Sequence, residues 1–338
     1  MSWLPKEVPV PGVTSADVAR ESGVSRTTVS YVLNAKEGVA IYEATRQRVR
    51  DTALRLGYSP STAARTLRRG RSDLVLCVLP NWSIGPVIDT LLDHLARQLA
   101  ERGLSVLVHH GRGTRPLSEL WRAVTPRAVV GFTAFAPEHE RSMRQAGIQV
   151  VGTALEQDPR DPIVHSVSQA GIGLLQVQHL AAAGHRVIAY ATPTDPRLAD
   201  FADGRLAGVR LECADRGFPE PLVASVDLDV RSAARAVREW RAADSPVTAV
   251  AAYNDEVALA VLAGLRAEGL SVPGDVAVIG VDDIPAARLA LPALTTVSQG
   301  VDAQARDLAS AVLAALDGHT QPPTFPADIL DVVVRDST

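Results

Sequence analysis

The 338-residue chain is poor in lysine and cysteine and has no long apolar run. Lys6 and Lys36 are its two lysines, and arginine supplies the remaining side-chain positive charge, a bias to which no mechanism attaches. Two cysteines far apart, Cys77 and Cys213, exclude a disulfide framework and have no metal-ligand spacing, which suits a reducing compartment. No stretch approaches the roughly 18 apolar residues that span a bilayer. Met1 to Gly12 carries prolines at 5, 9 and 11 and lacks the apolar core of a secretory signal. The chain therefore reads as soluble and cytoplasmic, with no membrane partner. Common catalytic signatures are missing too: no Gly-x4-Gly-Lys-Ser/Thr, no Gly-x-Ser-x-Gly and no His-Glu-x2-His. Gly171-Ile-Gly173 lacks the third glycine of a dinucleotide fingerprint, and His109-His110 and the His179/His185 pair have no convincing metal partners. No catalytic residue, metal or cofactor is expected.

What is present is an ordinary globular composition, 46% hydrophobic and 21% charged, long enough for two or three domains with a substantial core. The net charge of −4 is unevenly spread. Residues 1–73 hold twelve Lys/Arg against seven Asp/Glu, whereas residues 74–338 hold twenty-two against thirty-one. A basic head on an acidic body is the pattern expected when only the head meets a polyanion.

Within that head, Val13 to Asn34 reads as two helices meeting at a tight turn. Thr14 and Asp17 have capping-box spacing, Val18 and Ala19 give a small apolar face, and Gly23 stands where the chain must reverse. Ser25 restarts a helix, and Val29, Val32 and Leu33 recur at helical spacing to bury it. Arg26, Thr27, Thr28, Ser30, Tyr31 and Asn34 are left outward, all hydrogen-bond formers and none acidic. That is the chemistry of a DNA recognition helix; the plain alternative is a helical hairpin with a solvated polar face. Glu43 to Gly57 predicts a third helix, with Val49, Ala53, Leu54 and Leu56 as its stripe and Arg46, Arg48, Arg50 and Arg55 solvated or near phosphate. The basic segment Tyr58 to Arg71 holds a short helix from Pro60–Ser61 to Gly70 with Leu67 as its apolar tip. It is either a minor-groove wedge or a charged linker.

From Leu74 the texture changes to apolar strands alternating with amphipathic helices. Strands are expected at 74–79, 104–108, 128–132, 149–151, 186–190, 222–226, 247–252 and 276–281. Helices are expected at 87–102, 171–183, 204–216, 230–242 and 256–268. Continuous apolar strands separated by helices indicate parallel, doubly wound sheets, here two in series with a cleft between them.

Together these stretches resemble the lactose-repressor (LacI/GalR) family of transcriptional regulators. The resemblance rests on Val13–Asn34, on Gly57-Tyr-Ser-Pro60 to Leu67, and on His179-Leu-x3-Gly-His185-Arg-x-Ile-Ala. It extends through Arg205-Leu-Ala-Gly208, Asn254-Asp255-x2-Ala258 and Val278-Ile-Gly-Val-Asp-Asp283 to Leu294-Thr-Thr. It implies an α/β protein with a small all-α helix-turn-helix head and a two-lobed periplasmic-binding-protein-like core. The expected division is a disordered tail at 1–12, the DNA-binding domain at 13–60, a hinge helix at 61–72 and the core at 73–338. Within the core, the N-terminal lobe takes about 73–165 and 299–325, and the C-terminal lobe about 166–298 and 326–338. The implied activity is repression from a near-palindromic double-stranded DNA operator, bound by a homodimer and modulated by a small polar effector, a sugar or sugar derivative. The resemblance places base readout at Arg26, Thr27 and Tyr31 and phosphate contacts at Thr14, Ser25, Thr28, Ser30 and Asn34. Leu67 matches the residue that levers open the central minor-groove step, with Ala64 and Arg65 on the same helix.

In the core, Arg205, Asn254 and Asp282 match positions that hydrogen-bond polar effectors, a donor and acceptor set suited to vicinal hydroxyls. Asn254-Asp255 reads equally as a helix cap and Asp282-Asp283 as a turn. Trp82 reads as an apolar wall for a sugar face or as a loop anchor. The chain departs from the family with Val87-Ile88 where paired aromatics are frequent, an apparent insertion at Gly85, and Val167-Ser168-Gln169 where Val-Asp-Asn is usual. The segment Gly111–Pro126 is short and rich in proline, glycine and arginine. No heptad tail follows Val332-Val-Val-Arg335, so a dimer is the expected limit. A secreted sugar-binding protein would share such a body but not the basic head. The competing reading within DNA binding is a core that only dimerises.

Overall fold

The computed structural model describes residues 13–34, 38–58, 72–81, 84–112, 116–152, 167–319 and 329–338. The chain divides into two compact units, Met1–Ser72 and Asp73–Thr338.

In the head, α1 (Ser15–Ser22), α2 (Arg26–Leu33) and α3 (Glu43–Arg55) enclose Val18, Ala19, Val29, Val32, Val49 and Ala53. The reversal between α1 and α2 depends on Gly23, whose φ of 67° is left-handed. The Val24 amide there donates back to the Ala19 carbonyl at 3.1 Å. So small a core relies on its helix ends. The Asp17 carboxylate accepts from the Thr14 amide at 3.0 Å and the Thr14 hydroxyl at 2.7 Å, and the Ser25 hydroxyl accepts from the Thr28 amide at 3.1 Å. Leu54, expected on the buried stripe of α3, is 79% exposed instead. Five residues on from Val49, it is turned about 140° away from the face shared by Val49, Ala53 and Leu56. Two arginines of α3 are structural ties: Arg46 donates to the Val39 and Ile41 carbonyls at 3.1 and 3.3 Å, and Arg55 to Glu21 of α1 at 3.0 Å.

The larger unit holds two sheets. In the first, β1 (Leu74–Leu79), β2 (Ser105–His110), β3 (Ala128–Gly131) and β4 (Gln149–Gly152) lie in the order β2-β1-β3-β4, all parallel. Its sequence-adjacent helices are α4 (Pro86–Ala100), α5 (Leu117–Val124) and α6 (Pro137–Gln145). Helix α5 falls within the short stretch Gly111–Pro126, rich in proline, glycine and arginine. It forms because Leu117, Leu120 and Trp121 share a face that packs with Leu76, Val129, Met143 and Ile148.

After α7 (Gln169–Ala182) the second series begins: β5 (Ile188–Pro193), α8 (Ala199–Asp215), β6 (Leu222–Val226), α9 (Val230–Arg241) and β7 (Ala249–Ala252). It continues through α10 (Asp255–Ala267), β8 (Ala277–Val281), α11 (Pro285–Leu289) and β9 (Thr295–Ser298). The last two elements are α12 (Val301–Leu316) and β10 (Asp331–Val333). The sheet order is β10-β9-β8-β7-β5-β6, parallel except for β10, which runs antiparallel to β9. Helix α12 does not stay with this sheet. Its Ala305, Leu308, Ala309 and Val312 are buried in the first lobe's core with Leu91, Leu95 and Leu99 of α4.

One helix crossing positions the site described next. A Cβ on Gly173 of α7 would overlap the Arg205 carbonyl oxygen, and one on Gly208 of α8 would overlap the Ala170 carbonyl oxygen. The two glycines therefore serve close packing of α7 on α8, which sets Arg205 beside the first turn of α7.

Candidate nucleic-acid interface and ligand cleft

Helix α2 begins at Arg26, directly after its cap Ser25, and contains no acidic residue. Arg26 and Thr27 are exposed in the first turn, and neither side chain has a hydrogen-bond partner among the described residues. A guanidinium left unengaged on a helix start is a ready bidentate donor. The other positions expected to touch DNA have internal roles as well. The Ser25 and Thr28 hydroxyls lie 2.9 Å apart. Asn34 closes α2 by donating to the Ser30 carbonyl at 2.7 Å and lies 3.2 Å from its hydroxyl. Thr14 donates its hydroxyl to Asp17, and those hydrogen bonds hold the Asp17 carboxyl below the usual carboxylate range. Tyr31 is half-buried on the same helix. Ala64, Arg65 and Leu67 lie outside the described residues, as does Trp82.

In the core, three of the expected ligand residues meet at the C-terminal ends of the second sheet's strands, where open α/β sheets place their ligands. Helix α8 starts at Ala199, earlier than expected, so Arg205 lies within its second turn rather than at its start. It is 4% exposed. Its Nε donates to Gln169 Oε1 at 2.9 Å, one Nη donates to the Tyr253 carbonyl, and the guanidinium lies 4.6 Å from the Tyr253 ring centroid. The second Nη has no intramolecular partner among the described residues. Asn254 follows β7 and caps α10, its Oδ1 accepting from the Val257 amide at 2.9 Å. The amide nitrogen is 3.5 Å from Glu256 Oε2.

Asp282 follows β8 with φ 113°, and Asp283 has φ 50°, so both stand in the left-handed region. The Asp282 carboxylate accepts from Gln299 Nε2 at 2.6 Å. Burial pushes its carboxyl up to about 6, against the opposing pull of the Arg205 charge and the Gln299 hydrogen bond. Tyr253 is likewise pushed up to about 12 by burial. From the first lobe, the start of α4 borders the site: a Cβ on Gly85 would come to 4.0 Å from Glu256 Oε2. Phe201 of α8 packs against both lobes' cores.

Sequence reasoning missed Gln169, Tyr253 and Gln299. Gln169 sat in plain view, within a triplet that departs from the family pattern. In the structure Ser168 caps α7 by accepting from the Gly171 amide at 3.0 Å, and Gln169 supplies the acceptor for Arg205. The paired histidines have protein partners, His179 with Thr338 at 2.9 Å and His185 with Thr248 at 3.1 Å. No described helix is long and apolar enough to cross a membrane.

A three-helix head with an exposed polar second helix, joined to a two-sheet core whose polar groups gather at the strand ends, defines a DNA-binding regulator with a sensor-type body. Residues 14–61 match the bacterial regulatory proteins of the lacI family, and residues 177–338 match the periplasmic binding protein-like domain. The HTH-type transcriptional regulator CelR of Thermobifida fusca is 32% identical over 334 residues, 95% of this chain and 96% of that regulator. A solved CelR–cellobiose complex aligns with a TM-score of 0.63 at 27% identity, covering 96% of this chain and all of that one. The lac repressor dimer bound to operator and the anti-inducer ONPF has the same fold, with a TM-score of 0.76 at 22% identity over 96% of this chain and 98% of that one. The chain belongs to the lactose-repressor (LacI) family of transcriptional regulators.

Proposed function

We propose that the protein is a repressor that binds a near-palindromic operator as a homodimer and releases or tightens its grip when a small sugar enters the core cleft. The exposed, unengaged Arg26 at the start of an acid-free α2 carries the DNA half of this reading. Arg26 and Thr27 read bases with Tyr31, Thr14, Ser25, Thr28, Ser30 and Asn34 hold phosphates, and Leu67 opens the central step with Ala64 and Arg65 beside it. Exposed Leu289 and Leu291, at 82% and 77%, support burial against a second copy.

For the ligand, Arg205 and Asn254 offer donors, Asp282 an acceptor, and Trp82 an apolar wall. Cellobiose, the sugar in the CelR complex, is the first candidate. A core that served only to dimerise would have no use for an acid kept half-buried at a left-handed position, which favours a sensing role. The cleft and the head are coupled by linkage: a ligand that prefers one arrangement of the two lobes shifts how the twin heads are held.

Selection of bound fragments from genomic DNA, with and without cellobiose, tests both halves. One two-fold sequence should be enriched. Arg26→Ala should relax a single position in each half-site, a loss of about 1–3 kcal/mol of discrimination. No enrichment over bulk DNA at moderate salt defeats the DNA half. A sugar panel led by cellobiose that never raises the melting temperature defeats the sensing half.

A further inference from the structure

The ligand reading leaves Asp255 unused, although its side chain is wholly buried and meets no cation among the described residues. Its Oδ2 accepts from the Ile284 amide at 2.9 Å and its Oδ1 from the Thr296 hydroxyl at 2.6 Å. The Thr296 oxygen accepts in turn from the Asp283 amide at 3.3 Å. The Asp282 amide donates to the Val297 carbonyl at 2.8 Å. Three successive amides, 282 to 284, are thus held by β9 and by Asp255. Between them sit two non-glycine residues with left-handed φ, a state that persists only where the surroundings fix it. Gly280 leaves the carboxylate its room, because a Cβ there would overlap Asp255 Oδ1. On the far side of the turn the Asp283 carboxylate is taken up by Arg335 and, at 3.2 Å, by Arg288.

We propose that Asp255 is a positioning residue whose two accepted hydrogen bonds hold the 282–283 pair in the left-handed conformation that presents the Asp282 carboxylate to the ligand. The proposal rests on Asp282 being a ligand group, but the geometry it describes needs no ligand. A carboxylate serves both donors because each oxygen only accepts. Asparagine can keep the arrangement by accepting from Ile284 and donating to the Thr296 oxygen, whereas alanine can do neither. Burial pushes the Asp255 carboxyl up to about 7, with the Asp282 and Asp283 charges adding and the Thr296 and Ile284 hydrogen bonds opposing. The charged groups around it are Asp282 and Asp283 on the turn, Arg335 and Arg288 through Asp283, and Glu256 next to it on α10. On protonation one oxygen becomes a donor, and the Thr296 hydroxyl must turn round.

Carboxyl-carbon NMR of the full-length, ligand-free protein tests this, with the Asp282 titration, near 6 in the parent protein, as the reporter of where its carboxyl sits. In Asp255→Ala the turn should relax into water and the proton affinity of Asp282 should fall about tenfold or more; in Asp255→Asn it should stay. The Ile284 amide signal should follow the Asp255 titration near pH 7 in the parent and lose that step in Asp255→Asn. If Asp255→Ala does not fold, Thr296→Val removes the hydroxyl that joins Asp255 to the Asp283 amide while leaving the Asp255 carboxyl and its bond to the Ile284 amide, and should lower the Asp282 value part of the way. An Asp282 titration unchanged in every variant that folds, or an Ile284 amide that ignores Asp255, overturns the proposal. The ligand reading fails separately, if Asp282→Asn keeps whatever stabilisation cellobiose gives the parent; the ligand-free titrations stand or fall without it.

Discussion

On α2, the Arg26 and Thr27 side chains stand exposed, with no hydrogen-bond partner among the described residues, on a helix start that Ser25 caps. At the C-terminal ends of the second sheet's strands, Arg205 is engaged by Gln169 and Tyr253, Asp282 by Gln299, and Asp255 by Thr296 and Ile284, all buried or half-buried. Two ways of presenting polar groups to a partner are thereby set side by side in one chain. The exposed group keeps its hydration until the partner arrives, so changing it costs binding and leaves folding alone. The buried group has already lost its water, so its energetics enter the folding equilibrium as well.

The largest effect expected from this contrast is on pH. The Asp255 value in the fold, about 7, lies above its ordinary 3.8, so its contribution to stability is fully present below about pH 4 and is lost as pH rises through 7. The loss amounts to at most about 4 kcal/mol. Urea unfolding of the core from pH 5 to pH 8 should show this slope in the parent and a flatter one in Asp255→Asn; equal slopes would erase the distinction between the two regions. Next in size is Gly208→Val. Its side chain would push α8 off the Ala170 carbonyl and carry Arg205 with it, at a cost of about 1–3 kcal/mol or more in the core's unfolding. A core unmoved by that change would mean that the crossing of α7 and α8 is not what seats Arg205. The smallest effect sharpens the other side: Ser25→Ala should lower the head's stability by about 1 kcal/mol, seen as faster amide exchange along α2, with the core's urea midpoint unchanged.

Much of this was legible in the sequence, for identifiable reasons. Gly23, Ser25 and the apolar spacing of α2 are local signals, and the strands of both sheets are continuous apolar runs bounded by helices. Helix α12 escaped although Ala305, Leu308, Ala309 and Val312 recur at helical spacing; other features that escaped were weakly patterned or non-local. Helix α6 buries only Met143 among its nine residues, so no stripe announces it. Leu54 is a neighbour of Ala53 in sequence, but the helical angle carries it out of the stripe that Val49, Ala53 and Leu56 form. Asn254 and Asp282-Asp283 were read as cap and turn as readily as ligands, and the structure shows the cap and the left-handed turn directly. The roles of Asp255 and Thr296 could not be read at all, since the two are 41 residues apart and meet only once β7, β8 and β9 lie side by side.

Because α12 returns to the first lobe and β10 then rejoins the second sheet, neither half of the core is a continuous piece of polypeptide. A fragment ended near residue 300 would strip α4 of its packing neighbour and leave β9 as a bare sheet edge, damaging both halves with one cut. Grafting between relatives should therefore succeed at the junction near residue 72, exchanging the whole body from Asp73 onward against a different head, and fail when one lobe alone is transplanted.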